Sequence, residues 1–81
     1  MNSEIKTNNI IAVSKLNKGD EAVVVEIKSE DDSVLRKLMA MGVLPGIKLK
    51  MLQRFPSFFF QVGYTKVAVD KEIASMIYVS F

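Results

Sequence analysis

The sequence predicts a mainly β, small α+β domain: a partly open five-stranded barrel, with one short helix between strands 1 and 2 and a helical turn before the last strand. Three observations carry this reading. Five short stretches rich in Val, Ile and Phe are separated by turn residues, and a single helical stretch ends at Gly42. The chain has 81 residues, 49% of them hydrophobic, which is enough for one small core and too few for two.

The elements follow in order. Residues 1–13 read as a polar lead-in that ends in Ile10-Ile11-Ala12-Val13, an ordering point against the domain edge, and residues 14–81 read as the domain itself. After the turn-rich Ser14–Asp20, the β-branched run Ala22–Ile27 predicts a first strand with Val23, Val25 and Ile27 on its buried face. Ser29-Glu30-Asp31-Asp32-Ser33 then offers N-cap residues and acidic charge where the helix dipole favours it. In the helix that follows, Val34, Leu38 and Met41 share one stripe with Leu35 and Met39 beside it, and Asp32 stands one turn from Arg36.

The helix end is specified by backbone chemistry. Gly42 suits the left-handed residue that closes a helix without a Cβ clash, and Pro45-Gly46 suits the central pair of a type II turn. Ile47, Leu49 and Met51 alternate with Lys48 and Lys50, the period of a strand with one wet face. Arg54-Phe55-Pro56-Ser57 breaks it, Phe58–Val62 forms the next strand, and Gly63-Tyr64-Thr65 turns into Lys66–Val69, giving a meander. Asp70 caps a helical turn before the last strand, Ile77–Val79. Strands this few and short bury their edges best by curling into an SH3-like barrel.

Composition removes many functions. The chain holds no Cys and no His, so disulfides, thiolate nucleophiles and imidazole bases are absent, and no cofactor, catalytic residue or metal site is expected. No secretory signal is visible, and the apolar runs fall short of a membrane span, so a cytoplasmic protein with no membrane insertion is expected.

The order of these elements, with Leu38-x-x-Met41-Gly42-Val43-Leu44-Pro45-Gly46 and the ending Ala74-x-x-Ile77-x-Val79, resembles the FeoA family from about Leu16 to Val79. The family's signature has the form Arg-x-Leu-x-x-Leu-Gly-x-x-Pro-Gly, which Arg36, Leu38, Met41, Gly42, Pro45 and Gly46 follow with methionine in place of one leucine. The resemblance implies an SH3-like barrel and a non-enzymatic accessory role in ferrous iron uptake, by contact with the FeoB transporter or its cytoplasmic GTP-binding part. The same module occurs in iron-dependent transcription repressors, so a regulator-type interaction module is an alternative.

Candidate contact residues lie around the signature. Phe58 and Phe60 share a face with Val62, which sends Phe59 outward beside Leu52. Val43, Leu44, Leu52 and Phe59 are therefore the expected partner-binding residues, for the transporter or for a second copy in a homo-oligomer, unless the helix or Ile10-Ile11 covers Phe59. Gly42, Pro45 and Gly46 are assigned to the structural turn. Glu30-Asp31-Asp32 suits a hard cation or, more simply, the helix dipole. Lys48, Lys50, Arg54 and Lys66 form a basic stripe compatible with a nucleic-acid platform, but a net charge of +2 is weak for one, and no nucleic acid is expected.

Overall fold

A computed structural model describes residues 9–81. The start of the lead-in, residues 1–8, lies outside the described residues. The chain forms β1 (Ile10–Ala12), a 3-10 turn (Val13–Lys15), β2 (Glu21–Ile27), α1 (Asp32–Ala40), β3 (Lys48–Gln53), β4 (Phe58–Val62), β5 (Thr65–Val69), α2 (Lys71–Ala74) and β6 (Ile77–Ser80). All strands join one antiparallel sheet in the order β1-β6-β2-β3-β4-β5. The sheet is not closed, and its fold is that of a small SH3-like domain with a partly open barrel.

The expected five strands are all present, and Ile10–Ala12 adds a sixth by pairing with Ser80, Val79 and Tyr78 of β6. Three residues are too few to show a strand period, so this pairing rests on its partner and not on its own pattern.

The inward face of β2 differs from expectation. Ala22 and Val24 are buried, whereas Val23 and Val25 stand 40% and 37% exposed. Three successive valines give no alternation from which to choose a face. A register shift between Val24 and Glu26 then inserts one extra residue, after which Ile27 returns to pack partly against the core.

The other elements form for the reasons their residues suggest. The Asp31 carboxylate accepts from the Ser33 amide (2.9 Å) and hydroxyl (2.7 Å) and caps α1, and Asp70 accepts from the Ile73 amide (2.8 Å) and caps α2. Leu38 is buried, with Val34 and Met41 packed beside it. Among the described residues the ion pairs are Lys28–Glu26 and Lys48–Glu21, so the expected Asp32–Arg36 pair is not formed. An exposed pair gains too little over hydration to fix two long side chains.

One core joins the concave side of the sheet to α1, α2 and the 3-10 turn. Phe60, Leu16, Leu49, Met51, Ile77, Val13, Val24, Val43 and Val79 are fully buried in it. Each contributes roughly 1.5–3 kcal/mol by leaving water, which is how a short chain offsets its conformational entropy. Residues from five strands meet here, so the core fixes where α1 and the turn after it lie.

Candidate functional site

The segment after α1 positions the candidate surface. Gly42 has φ +100°, and its amide and that of Val43 return to the carbonyls of Met39 and Leu38, both over 3.0 Å. The chain then enters the Leu44–Ile47 turn, closed by the Ile47 amide on the Leu44 carbonyl (3.1 Å) with Gly46 at φ +93°. The turn is anchored to β2 in both directions, by Gly46 N–H to Val24 O (2.8 Å) and Val24 N–H to Ile47 O (2.9 Å). Leu44 and Pro45 are thus held beside the β2 bulge.

The four expected contact residues do not form one patch. Val43 is fully buried, so its assignment to the contact surface is corrected: it belongs to the core. As the second residue past the C-cap Met41, it must fold back over Leu38 to close the motif. Leu44 is 40% exposed. Leu52 and Phe59 are half-buried at the other end of β3, where Leu52 occupies a bulge and Phe59 pairs with Gln53 and Ala68. Five residue steps along β3 separate these ends by roughly 17 Å. The result is two small apolar surfaces.

The richer of the two adjoins α1. Ile27, Leu35, Met39 and Pro45, with Glu26 at the rim, line a groove of ≈ 260 Å³. Met39 stands 41% exposed on it, and Leu44, which precedes Pro45 in the turn, is exposed as well. Sequence reasoning placed Leu35 and Met39 only at the flank of the helix stripe. Their i, i+4 spacing was the available signal, but their partners from the β2 bulge could not be foreseen. The opposite flank of α1 carries a second groove of ≈ 290 Å³ between Val34, Leu38 and Met41 and the β5–α2 corner. A methionine on such a rim adapts to differently shaped partners.

The charged candidates have structural duties. Asp31 is held below the ordinary carboxylate value of 3.8 first by the Ser33 hydroxyl and then by the Ser33 amide, which is the chemistry of a helix cap. Arg54 leaves the expected basic stripe: its guanidinium donates to the carbonyls of Ser14 (3.1 Å) and Leu16 and lies 5.3 Å over the Phe58 ring. It ties the end of β3 to the 3-10 turn. No helix among the described residues is long and apolar enough to cross a membrane.

Comparison with known proteins agrees with this architecture. The FeoA domain model matches residues 11–80. Comparison with curated proteins finds no match. Among solved structures, an iron uptake regulatory protein, FeoA, is 27% identical with a TM-score of 0.77, over 86% of this chain and 93% of that one. Stenotrophomonas maltophilia FeoA in complex with zinc, described as an SH3 domain protein, is 25% identical with a TM-score of 0.76, over 85% and 88%. A manganese-dependent transcriptional repressor shares the fold at a TM-score of 0.81 and 22% identity, over 88% of this chain but 41% of its own. The signature from Arg36 to Gly46 and a model match over nearly the whole chain make this protein a member of the FeoA domain family.

Proposed function

We propose that this protein is a non-enzymatic accessory factor of ferrous iron uptake, acting on the cytoplasmic side by contact with the GTP-binding part of a FeoB-like membrane transporter. Family membership supports the iron pathway. The lack of Cys and His, and of any catalytic motif, supports contact in place of chemistry. Residues 14–81 are the interaction module, braced by β1 along β6.

The observation that carries the contact is the groove beside α1. Met39 stands exposed among Ile27, Leu35 and Pro45, and Leu44 is exposed next to Pro45 in the turn that carries the family signature. An apolar concave surface next to exposed aliphatic side chains suits a protein partner's hydrophobic side chain. Leu52 and Phe59 form a second, separate contact, for the same partner or for a second copy of this chain.

Titration of the transporter's soluble GTP-binding domain with this protein tests the reading. Leu44→Asp and Met39→Glu, with unchanged circular dichroism, should each weaken binding on the order of tenfold, as expected for a charge placed in a buried contact. Binding that survives both changes would reject the groove. A parent protein that does not bind would reject the partner.

A further inference from the structure

The pairing register gathers three lysines on the outer face of the sheet. Lys48 stands opposite Val23, Lys50 stands opposite Glu21 and Gln61, and Gln61 stands opposite Lys66. Residues paired across an antiparallel sheet point to the same side, so these lysines form one cluster spanning β3 to β5. Strands lie about 4.8 Å apart, so Lys50 and Lys66, with β4 between them, stand roughly 10 Å apart, and Lys48 lies two residues from Lys50 along β3. Glu21 is the acid in these rows, and its carboxylate lies 3.8 Å from the Lys48 ammonium. Within these rows three lysines and one glutamate sum to +2, and Glu26, on the same side opposite Tyr78, is paired with Lys28.

Apolar groups are set among these charges. Val23 and Ile10 share a row with Lys48 through Ser80 and are 40% and 41% exposed. Tyr64, at the tip of the β4–β5 hairpin, is fully exposed and lines an open basin of ≈ 590 Å³ with Glu21, Lys48, Lys50, Gln61 and Gly63. None of these residues lines either groove beside α1.

We propose that this outer face docks on an anionic lipid surface, with Lys48, Lys50 and Lys66 among the headgroups and Tyr64 at their level. Lysine is a point charge on a flexible stem, which suits a diffuse layer of phosphates better than the bidentate pairing that an acidic protein surface rewards with arginine. Tyrosine favours the headgroup region, where its ring and hydroxyl are both satisfied. A single exposed aromatic cannot stack successive bases, which disfavours single-stranded nucleic acid. Lys48, Lys50, Lys66 and Tyr64 line neither groove beside α1, and the inference stands apart from the transporter reading.

Co-sedimentation of the full chain with phosphatidylcholine vesicles, with and without phosphatidylglycerol, tests this. Binding should rise on the order of tenfold with the anionic lipid and fall as salt is raised. The combined Lys48→Gln, Lys50→Gln, Lys66→Gln variant should lose that rise, and Tyr64→Ser should lose part of it. Removal of as many exposed lysines elsewhere, by Lys15→Gln, Lys18→Gln and Lys71→Gln, should preserve it, with melting temperature checked for every variant. Equal binding to both vesicles, loss in the control variant, or retention in the triple variant would overturn the proposal. So would tighter, salt-sensitive binding to a single-stranded oligonucleotide than to the anionic vesicles.

Discussion

The amide of Val43 donates to the carbonyl of Leu38 over 3.0 Å, while the side chains of both residues are buried against each other's surroundings in the same core. With the Gly42 amide on the Met39 carbonyl, this is the paired hydrogen bonding of a Schellman helix end, including its apolar contact across the reversal. Helix termination and core formation are therefore one event here. The turn that carries Leu44 inherits its position from it.

Gly42→Ala should lower stability by about 1–2 kcal/mol, because an L residue is forced into left-handed backbone geometry. A Cβ at this position would meet Val62 Cγ2 at 3.7 Å, an ordinary contact, so the loss comes from φ +100° and not from crowding. Thermal melting followed by circular dichroism should fall by about 4–8 °C per kcal/mol in a domain of this size. An unchanged melting temperature would count against the cap.

Adjacent residues 43 and 44 should respond oppositely to truncation. Val43→Ala removes fully buried methyl groups and should cost roughly 1.5–3 kcal/mol, whereas Leu44→Ala, on the exposed shoulder, should stay within about 0.5 kcal/mol of the parent. Urea denaturation of the two variants separates core from surface directly. Similar midpoints would mean that the turn does not sort them as described.

Acid should loosen the start of α1. The folded-state carboxyl of Asp31 titrates below its ordinary value of 3.8, chiefly through the Ser33 hydroxyl and amide. Its contribution is thus fully present above that value and is lost as pH falls through the depressed folded value. Asp31→Asn keeps an acceptor but removes the charge, and its stability should lose this part of the acid dependence. Parallel pH-stability curves for parent and variant would contradict it.

Arg54 offers a test of side-chain geometry. Arg54→Met removes the donors to Ser14 and Leu16 and the stacking on Phe58, and should cost on the order of 1 kcal/mol or more. Arg54→Lys should not restore the loss, since a single ammonium cannot reproduce the fork that spans two carbonyls over an aromatic ring. Recovery by lysine would show that charge alone is what matters there.

Much of the fold was legible because its residues admit one local solution. Gly42, Pro45 and Gly46 specify the turn by backbone sterics, and Leu49, Met51, Phe58, Phe60 and Val62 alternate so cleanly that their faces follow from period alone. The β2 face was not legible, since a valine run has no phase and its bulge is imposed by pairing with β6. The candidate site was legible only in part. Leu44 is where its turn suggested, but the groove beside it joins a helix flank to a strand bulge, and no local pattern records which distant residues will meet. Arg54 likewise looked like one more solvent-facing charge until the 3-10 turn supplied its carbonyls.

The separation of Leu44 from Phe59 by the length of β3 leads to a last prediction. In binding to the transporter's GTP-binding domain, Leu44→Asp should weaken affinity on the order of tenfold and Phe59→Ser by a smaller factor. Sites more than about 10 Å apart without shared neighbours act independently, so the double variant should show the product of the two effects, within about 0.5 kcal/mol. If both residues contact the partner, neither change should alter the response to the other. A double variant far weaker than the product would mean that the partner bridges the two ends as one rigid surface. One no weaker than Leu44→Asp alone would leave Phe59 to contacts between copies of this chain, and equilibrium sedimentation of Phe59→Ser against the parent would then show the loss of self-association.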